Sequence, residues 1–408
     1  MDLIIKYQAP EQSWKIINKR NQALYFPKCD LSYWHFDHFL LPLICKYVGV
    51  GINLDPLICN HSPHNKVIFN IRYDILRINI YWLNNGCYWR HYRNHQNTRA
   101  GVELVIIMLI YDLCVAWNWI YDAEFVGLLD QSCKSRGLSL LQITPGNLPQ
   151  TLNSLVGREL SCRVFFDRAS DEDPQFMPLV QWVREDDIHS INSYERASLT
   201  WDKAEMHSLL VSQGLSVPHT IILPPYIEQP EISAIDLCPL GDQFTIKPAH
   251  GSGGVGVQTN ATSWDQVLSV RKEHATDHYL LQAHVTPVEL DLRPAWFRVI
   301  FCAGQVYPCW WNPFSHVYTP VTETEKTLHG LDPLDEIAVV IAQLCELEIF
   351  STEIAYTSDG LFMVVDYVND QIDLRLQSSS PEGVPDLIVR SIAEKLVSHV
   401  EDHCSREH

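Results

Sequence analysis

Positive charge is scarce in this 408-residue chain: 30 Lys and Arg stand against 49 Asp and Glu, a formal net charge of −19. A surface of that sign repels polyanions, which argues against nucleic acid as a partner. The 12 cysteines are scattered, with no C-x-x-C pair and no dense framework. That excludes a disulfide-stapled secreted scaffold and predicts a reducing, cytoplasmic setting. Nothing at the start has the basic and then apolar regions of a secretion signal. Long uncharged apolar runs are missing too, since the most apolar stretch, residues 102–121, contains Glu103, Asp112 and Asn118 and makes a poor membrane span. No Ser-His-Asp set or nucleophilic cysteine context stands out. The remainder, 46% hydrophobic and 19% charged, is globular composition, long enough for two or three packed units.

The charge is unevenly divided. Residues 1–107 carry 12 Lys and Arg and 7 Asp and Glu, a net +5, whereas residues 108–408 carry 18 and 42, a net −24. The first segment is rich in Asn, Ile, Tyr, Trp and His and shows no sustained strand or helix period. It holds one metal-like pattern, Cys59, His61 and His64 followed by Cys87, His91 and His95. The last three are spaced four apart as on one helix face, so zinc stands beside coincidence in a His-rich segment.

Regular patterning begins at Met108. Residues 109–115 read as a strand, and 123–136 as a helix with Phe125, Leu128 and Leu129 inward and Gly137 as its stop. Residues 138–143 and 160–166 read as further buried strands, which predicts a small doubly wound sheet with ligands beyond the carboxyl ends of its strands. The loops 117–122 and 167–171 (D-R-A-S-D) then border a site. Arg168 either holds a substrate carboxylate or forms an internal Arg–Asp pair. Thr200 is expected to cap a helix over 201–213 with Lys203 in its first turn, where a cation opposes the helix dipole and is either solvated or serves an anion.

The most distinctive stretch is residues 244–257, F-T-I-K-P-A-H-G-S-G-G-V-G-V. Phe244 and Ile246 alternate with Thr245 and Lys247, so Lys247 leaves a strand end on the polar face just before Pro248 stops the ladder. Gly251, Ser252, Gly253, Gly254, Val255 and Gly256 follow, a segment able to fold its backbone N–H groups around an anion. No G-K-[ST] closes it, and the lysine precedes the glycines, so it is neither a Walker A loop nor a dinucleotide fingerprint. An ordinary glycine-rich connection is the plain alternative.

Strands are expected over 279–285 and 297–301, the latter pairing with 305–308 across Ala303-Gly304. A helix from Asp332-Pro333 should turn Leu334, Ile337, Ile341 and Leu344 to a core. Residues 349–358 and 361–368 are strand-like runs around Asp359-Gly360, a pair that favours a two-residue type I′ turn. In that register Ser358 faces Leu361, Tyr356 faces Met363 and Glu353 faces Asp366. Opposed like charges destabilise a sheet, unless a divalent cation lies between them; Mg²⁺ takes one or two carboxylates plus phosphate oxygens. Asn369 and Asp370 follow as candidates to complete the shell. A solvent-facing acidic pair is the alternative.

Taken in order, Lys203 on a helix, K-P-A-x-G-S-G-G-x-G-V, a hinge-type strand, an Arg-bearing strand and a hairpin ending in paired acids resemble the ATP-grasp superfamily over about residues 108–400. The resemblance implies an α/β (α+β) chain with an N-terminal extension over 1–107, a Rossmann-like domain over 108–197 and an ATP-grasp domain over 198–404. It further implies an ADP-forming ligase that joins a carboxylate to an amine or thiol through an acyl phosphate, using ATP and Mg²⁺ or Mn²⁺. The alternatives are a kinase of the same fold and a nucleotide-binding protein without catalysis. By position, Lys203 and Lys247 would meet the nucleotide phosphates under the 251–255 loop. Gln282, His284 and Val285 would form the adenine hinge, and Glu289 or Asp291 would lie near the ribose. Arg298 resembles the phosphate-facing arginine of the ribosomal-protein-modifying glutamate ligases, and Glu353, Asp366 and Asn369 the metal ligands. Three departures stand out. The family's E-x-N becomes D-Y-V-N-D, so Asn369 reaches a metal only through a bulge or the strand end. The Pro-Gly exit is replaced by residues 370–385, where Arg375 is a candidate for a substrate carboxylate. C-W-W-N-P stands where a second arginine is expected, so Trp310 and Trp311 mark either a different acceptor or packing.

Overall fold

The computed structural model describes residues 108–251 and 253–406, together with five strands between residues 4 and 82. The chain divides into two compact units, Met1–Leu109 and Ile110–His408. In the first, β1 (Ile4–Gln8), β2 (Ser13–Ile17) and β3 (Ala23–Pro27) form an antiparallel meander, and β4 (Val67–Tyr73) pairs antiparallel with β5 (Leu76–Trp82). Strands therefore occur where the sequence shows no sustained period. In β5 the alternation of Leu76, Ile78 and Ile80 with Arg77, Asn79 and Tyr81 is present, but it lasts only one short strand. The Cys59–His95 zinc pattern lies outside the described residues.

The second unit opens with alternating strands and helices: β6 (Leu109–Trp117), α1 (Ala123–Ser135), β7 (Leu140–Ile143), α2 (Leu148–Val156), β8 (Leu160–Arg168), α3 (Met177–Glu185) and β9 (His189–Ile191). The strand order is β7-β6-β8-β9, with β7 parallel to β6 and β9 parallel to β8. Residues 113–116 of β6 are all buried, as a strand covered on both faces must be, which is why its sequence is an apolar run and not an alternation. α4 (Tyr194–Thr200) and α5 (Lys203–Ser212) lead into β10 (Thr220–Leu223), β11 (Phe244–Pro248), β12 (Gln258–Ala261), α6 (Trp264–Val270) and β13 (Tyr279–Ala283). These strands make an antiparallel sheet of order β10-β13-β11-β12. A capping box of Ser263 and Gln266 starts α6.

After the small hairpin β14 (Glu289–Leu290) and β15 (Arg293–Pro294) come β16 (Trp296–Cys302), β17 (Gln305–Trp311), β18 (Tyr318–Pro320), α7 (Glu323–His329), α8 (Pro333–Cys345), β19 (Ile349–Tyr356), β20 (Phe362–Asn369) and α9 (Asp386–Arg406). The five strands form an antiparallel sheet of order β18-β17-β16-β19-β20. One of its faces packs on α8 through Val299, Phe350, Leu334 and Ile341. α9 joins the β7-β6-β8-β9 sheet and the five-stranded sheet in one core, its Val389, Ile392 and Leu396 buried with Leu113, Val164, Ile300 and Ile349. Among the described residues no helix is long and apolar enough to cross a membrane.

Two local expectations need correction. Thr200 does not cap the Lys203 helix: it ends α4, its hydroxyl donating to the Ala197 carbonyl at 2.7 Å. Asp202 caps α5 instead, accepting from the amides of Ala204 and Glu205 at 2.8 and 3.1 Å. An aspartate is as good a cap as a threonine, and its charge favours the positive end of the dipole beside Lys203. In the β19–β20 hairpin the loop has three residues, not two. Gly360 donates to the Thr357 carbonyl at 3.0 Å with φ +81, Thr357 and Leu361 bond across the neck, and Tyr356 therefore pairs with Phe362 and not Met363. A type I turn closed by a left-handed glycine wins over the type I′ turn.

Candidate active site

The register shift made by that loop is undone two pairs later. β20 has an extra residue, Val365, between the pairs Ile354–Val364 and Glu353–Asp366, so the two carboxylates meet across the ladder as the sequence predicts. A second irregularity places Asn369 opposite Ser351. A bulge re-aims the side chains beyond it, and the Asn369 amide here donates to Asp366 Oδ2 at 3.0 Å. Asp370 turns elsewhere, accepting from Asn192 Nδ2 at 2.8 Å.

On the other flank of β19, Arg298 is the cross-strand partner of Glu353. Its Nη1 lies 3.0 Å from Glu353 Oε1, and its Nε donates to Ser351 Oγ at 3.2 Å. Trp296, two residues earlier and on the same face, donates its indole N–H to Glu353 Oε2 at 3.2 Å. Burial lifts the Glu353 carboxyl above its usual range, Arg298 offsets part of that and the Asp366 charge adds to it.

Lys247 reaches the same place from β11. It is buried, its Nζ lies 3.4 Å from the carbonyl of Val365 and its ammonium sits over the Tyr367 ring, 5.1 Å from the centroid. Desolvation holds this lysine below its usual range, and the Asp366 charge works against that. Tyr367 is fixed in turn by His207 Nδ1 at 2.8 Å and by Gln282 Nε2 at 3.0 Å. Lys203 anchors the glycine loop: its amide donates to the Ala249 carbonyl and its ammonium to the Gly251 carbonyl. Gly253, Gly254 and Gly256 all have positive φ. At Gly256 a Cβ would lie 2.7 Å from the His274 ring, so the loop's return leg needs glycine on two counts. Val255 is exposed at the loop, and Ser252 lies outside the described residues.

The expected hinge residues follow the same sheet. The Gln282 side chain is buried in the Tyr367 network, while His284 is exposed and Val285 half-buried just past the end of β13. Glu289 lies on β14, and Asp291, in the β14–β15 turn, bonds to His329 Nε2 at 2.8 Å.

The readings left open for the other residues resolve toward structure. Arg168 forms the internal pair, its guanidinium spanning both oxygens of buried Asp122 at 2.6 and 3.0 Å and bonding the Ile372 carbonyl at 2.9 Å. Trp310 and Trp311 are buried packing residues, Trp310 against Phe297 and under Arg293, Trp311 under Arg298. Arg375 pairs with its near neighbour Asp373 and lies against the rings of Trp119 and Tyr121. It is thus held beside the 117–122 loop, with its charge already partnered. Four contributors were not anticipated: Trp296, Ser351, His207 and Tyr367. Period-two spacing from Arg298 and Glu353 marks the first two, and the four-residue step from Lys203 marks His207.

No protein-family model matches the chain, and no curated protein matches it in sequence. Solved structures do match it. The crystal structure of D-alanine–D-alanine ligase from Bacillus anthracis complexed with ATP superposes with a TM-score of 0.51 at 11% identity, covering 73% of this chain and 98% of that one. This chain has the ATP-grasp fold. At that identity the likeness is one of architecture. An ATP-grasp ligase, PsnB, complexed with minimal precursor, Mg and ADP, has a TM-score of 0.49 at 14% identity over 72% of this chain and 98% of its own. For the D-cycloserine synthetase DcsG the values are 0.47, 14%, 71% and 99%. Within the ATP-grasp fold, the glycine-loop sheet and the Arg298–Glu353–Asp366 sheet are bridged by contacts from Lys247 to Val365 and from Gln282 to Tyr367.

Proposed function

We propose that the chain is a cytoplasmic, ATP-dependent, ADP-forming ligase that joins a carboxylate, of a small molecule or a peptide, to an amine or thiol through an acyl phosphate. The observation that carries this reading is the convergence of two facing carboxylates, Glu353 and Asp366, with Arg298 bonded to one and Lys247 beside the other. A transferring phosphoryl group is stabilised by charge and position, with little covalent chemistry from the protein. A metal fits the donor set: two carboxylate oxygens and the side-chain carbonyl of Asn369 are hard ligands suited to Mg²⁺ or Mn²⁺. The half-buried like-charge pair also favours it, since a divalent cation offsets both the desolvation that lifts Glu353 and the Asp366 charge that adds to it. When bound, that cation and ATP supply the activated phosphoryl group.

The chain's own residues then divide the work. Glu353, Asp366 and Asn369 hold the metal, with Trp296 and Ser351 positioning Glu353 and Arg298. Lys247 and Lys203 contact nucleotide phosphates, and the 251–256 loop covers them with backbone N–H groups. Gln282, His284 and Val285 border the base, and Glu289 the ribose side. Arg298 faces the transferred group and neutralises charge there.

The test is incubation with ATP, Mg²⁺ and a mixed pool of carboxylic acids, amino acids and peptides. Release of ADP and free phosphate that requires both an acid and an amine or thiol supports the ligase. Phosphate retained on an organic product makes the chain a kinase, and absence of any ADP contradicts catalysis.

A further inference from the structure

Away from the nucleotide site, three ligand-type side chains converge from distant parts of the sequence. His189 opens β9, Glu348 immediately precedes β19 and His399 lies in α9. His399 Nε2 is 2.8 Å from Glu348 Oε1, His189 Nε2 is 3.2 Å from Glu348 Oε2, and the three ligand atoms all lie within 4.8 Å of one another. An ion with ligands at about 2.0–2.2 Å in tetrahedral array needs them roughly 3.3–3.6 Å apart, so the spacing is close to that of a metal site without backbone movement.

The contact with His189 is the informative one. His189 Nε2 and Glu348 Oε2 are both buried atoms that pair at 3.2 Å, but their alignment falls short of a well-formed hydrogen bond. An ion pair alone would gain from closer alignment, since a well-formed hydrogen bond to a charged group contributes about 1.5–3 kcal/mol. A cation between them satisfies both. The surroundings hold the ligands in place. His403, one turn along α9 from His399, stacks on the His189 ring at 4.4 Å and 20°. Asn192 Oδ1 accepts from the amides of Glu348 and Ile349 at 2.7 and 3.1 Å. A cavity of about 630 Å³ opens beside the cluster, lined by Arg184, His189, Ser193, Tyr194, Glu348 and His403.

We propose that His189, Glu348 and His399 bind a borderline divalent transition metal, zinc first, with the fourth position open to this cavity for water or a small anion. Two imidazoles and one carboxylate suit zinc, whereas Mg²⁺ prefers the all-oxygen set at Glu353 and Asp366. The ion would clip the last helix to the junction of the parallel and antiparallel sheets.

The experiment titrates the full-length, EDTA-stripped chain with ZnCl₂ in excess Mg²⁺, reading bound metal by equilibrium dialysis and melting temperature by calorimetry. His189→Gln and His399→Gln are run in parallel, so that zinc taken up by cysteines or by histidines elsewhere cancels in the comparison. The proposal expects the unaltered chain to bind one more equivalent than either variant, or to bind it about 100-fold more tightly, because loss of an outer-shell partner alone costs roughly 10–100-fold. The zinc-dependent rise in melting temperature should vanish with it. His189 sits at a strand start with its side chain 29% exposed, so His189→Gln decides the matter if His399→Gln does not fold. Equal stoichiometry and affinity in the unaltered chain and the folded variants overturn the proposal and leave an ion-paired His–Glu–His cluster.

Discussion

Lys247 is held in the candidate site by burial and by groups on β20. Its ammonium is desolvated, stacked over Tyr367 and drawn toward Asp366. A cation kept in that state gains most when a phosphate arrives. Lys247→Ala should therefore weaken ATP binding by about 1.5–3 kcal/mol, the worth of a charge-assisted contact, which is roughly ten- to hundredfold in Kd. Isothermal titration with ATP measures it, and unchanged affinity would remove Lys247 from the phosphate site. At this scale much was legible in the sequence. Lys247, Arg298 and Glu353 stand on strands whose alternation fixes their faces. What was not legible is pairing over distance: that Arg168 turns inward depends on Asp122, 46 residues away, meeting it in the buried core. Tyr367 was hidden because an aromatic beside an acid reads as ordinary strand composition.

Elements carry the next set of constraints. The β19–β20 hairpin illustrates how a correct conclusion can rest on a compensated error, since the three-residue loop shifts the register by one and the extra Val365 shifts it back. Period and turn residues predict pairing only until the first bulge, and a bulge has no reliable mark in a single sequence. The second irregularity, beyond Asp366, gives Asn369 the rotation that strict alternation denies it. α7 offers a test of local chemistry. Thr322 and Glu325 form its capping box, and Arg293 pairs with Glu325. Burial would raise this carboxyl, but the Thr322 amide and Arg293 hold it down at about 2, against an ordinary 4.5. A depressed acid stabilises the fold above its unfolded pKa and loses that contribution as pH falls through the folded one. Stability from Glu325 should thus be complete above about pH 4.5 and lost toward pH 2, worth about 1–2 kcal/mol once solvent screening is allowed for. Urea unfolding of Glu325→Gln at pH 6 and pH 3 checks it: the variant should be weaker at pH 6 and approach the unaltered chain at pH 3. A constant difference would contradict the assignment.

For the whole molecule, the shift of net charge from +5 to −24 at residue 108 coincides with the onset of regular patterning. Every residue proposed for the nucleotide site lies beyond that point. A chain beginning at Met108 should fold and bind ATP as the full chain does. Melting temperature and ATP affinity of both lengths test this, and aggregation or loss of binding in the shorter chain would make the first segment part of the core. Nucleotide chemistry at this site depends on Glu353 and Asp366 jointly holding a divalent cation, as proposed above. The most direct test is ATP affinity with and without Mg²⁺ in the unaltered chain, Glu353→Gln and Asp366→Asn, each with its circular dichroism. Mg²⁺ should tighten ATP binding in the unaltered chain, and either amide should abolish the effect with the fold intact. The same Mg²⁺ dependence in all three chains would contradict it.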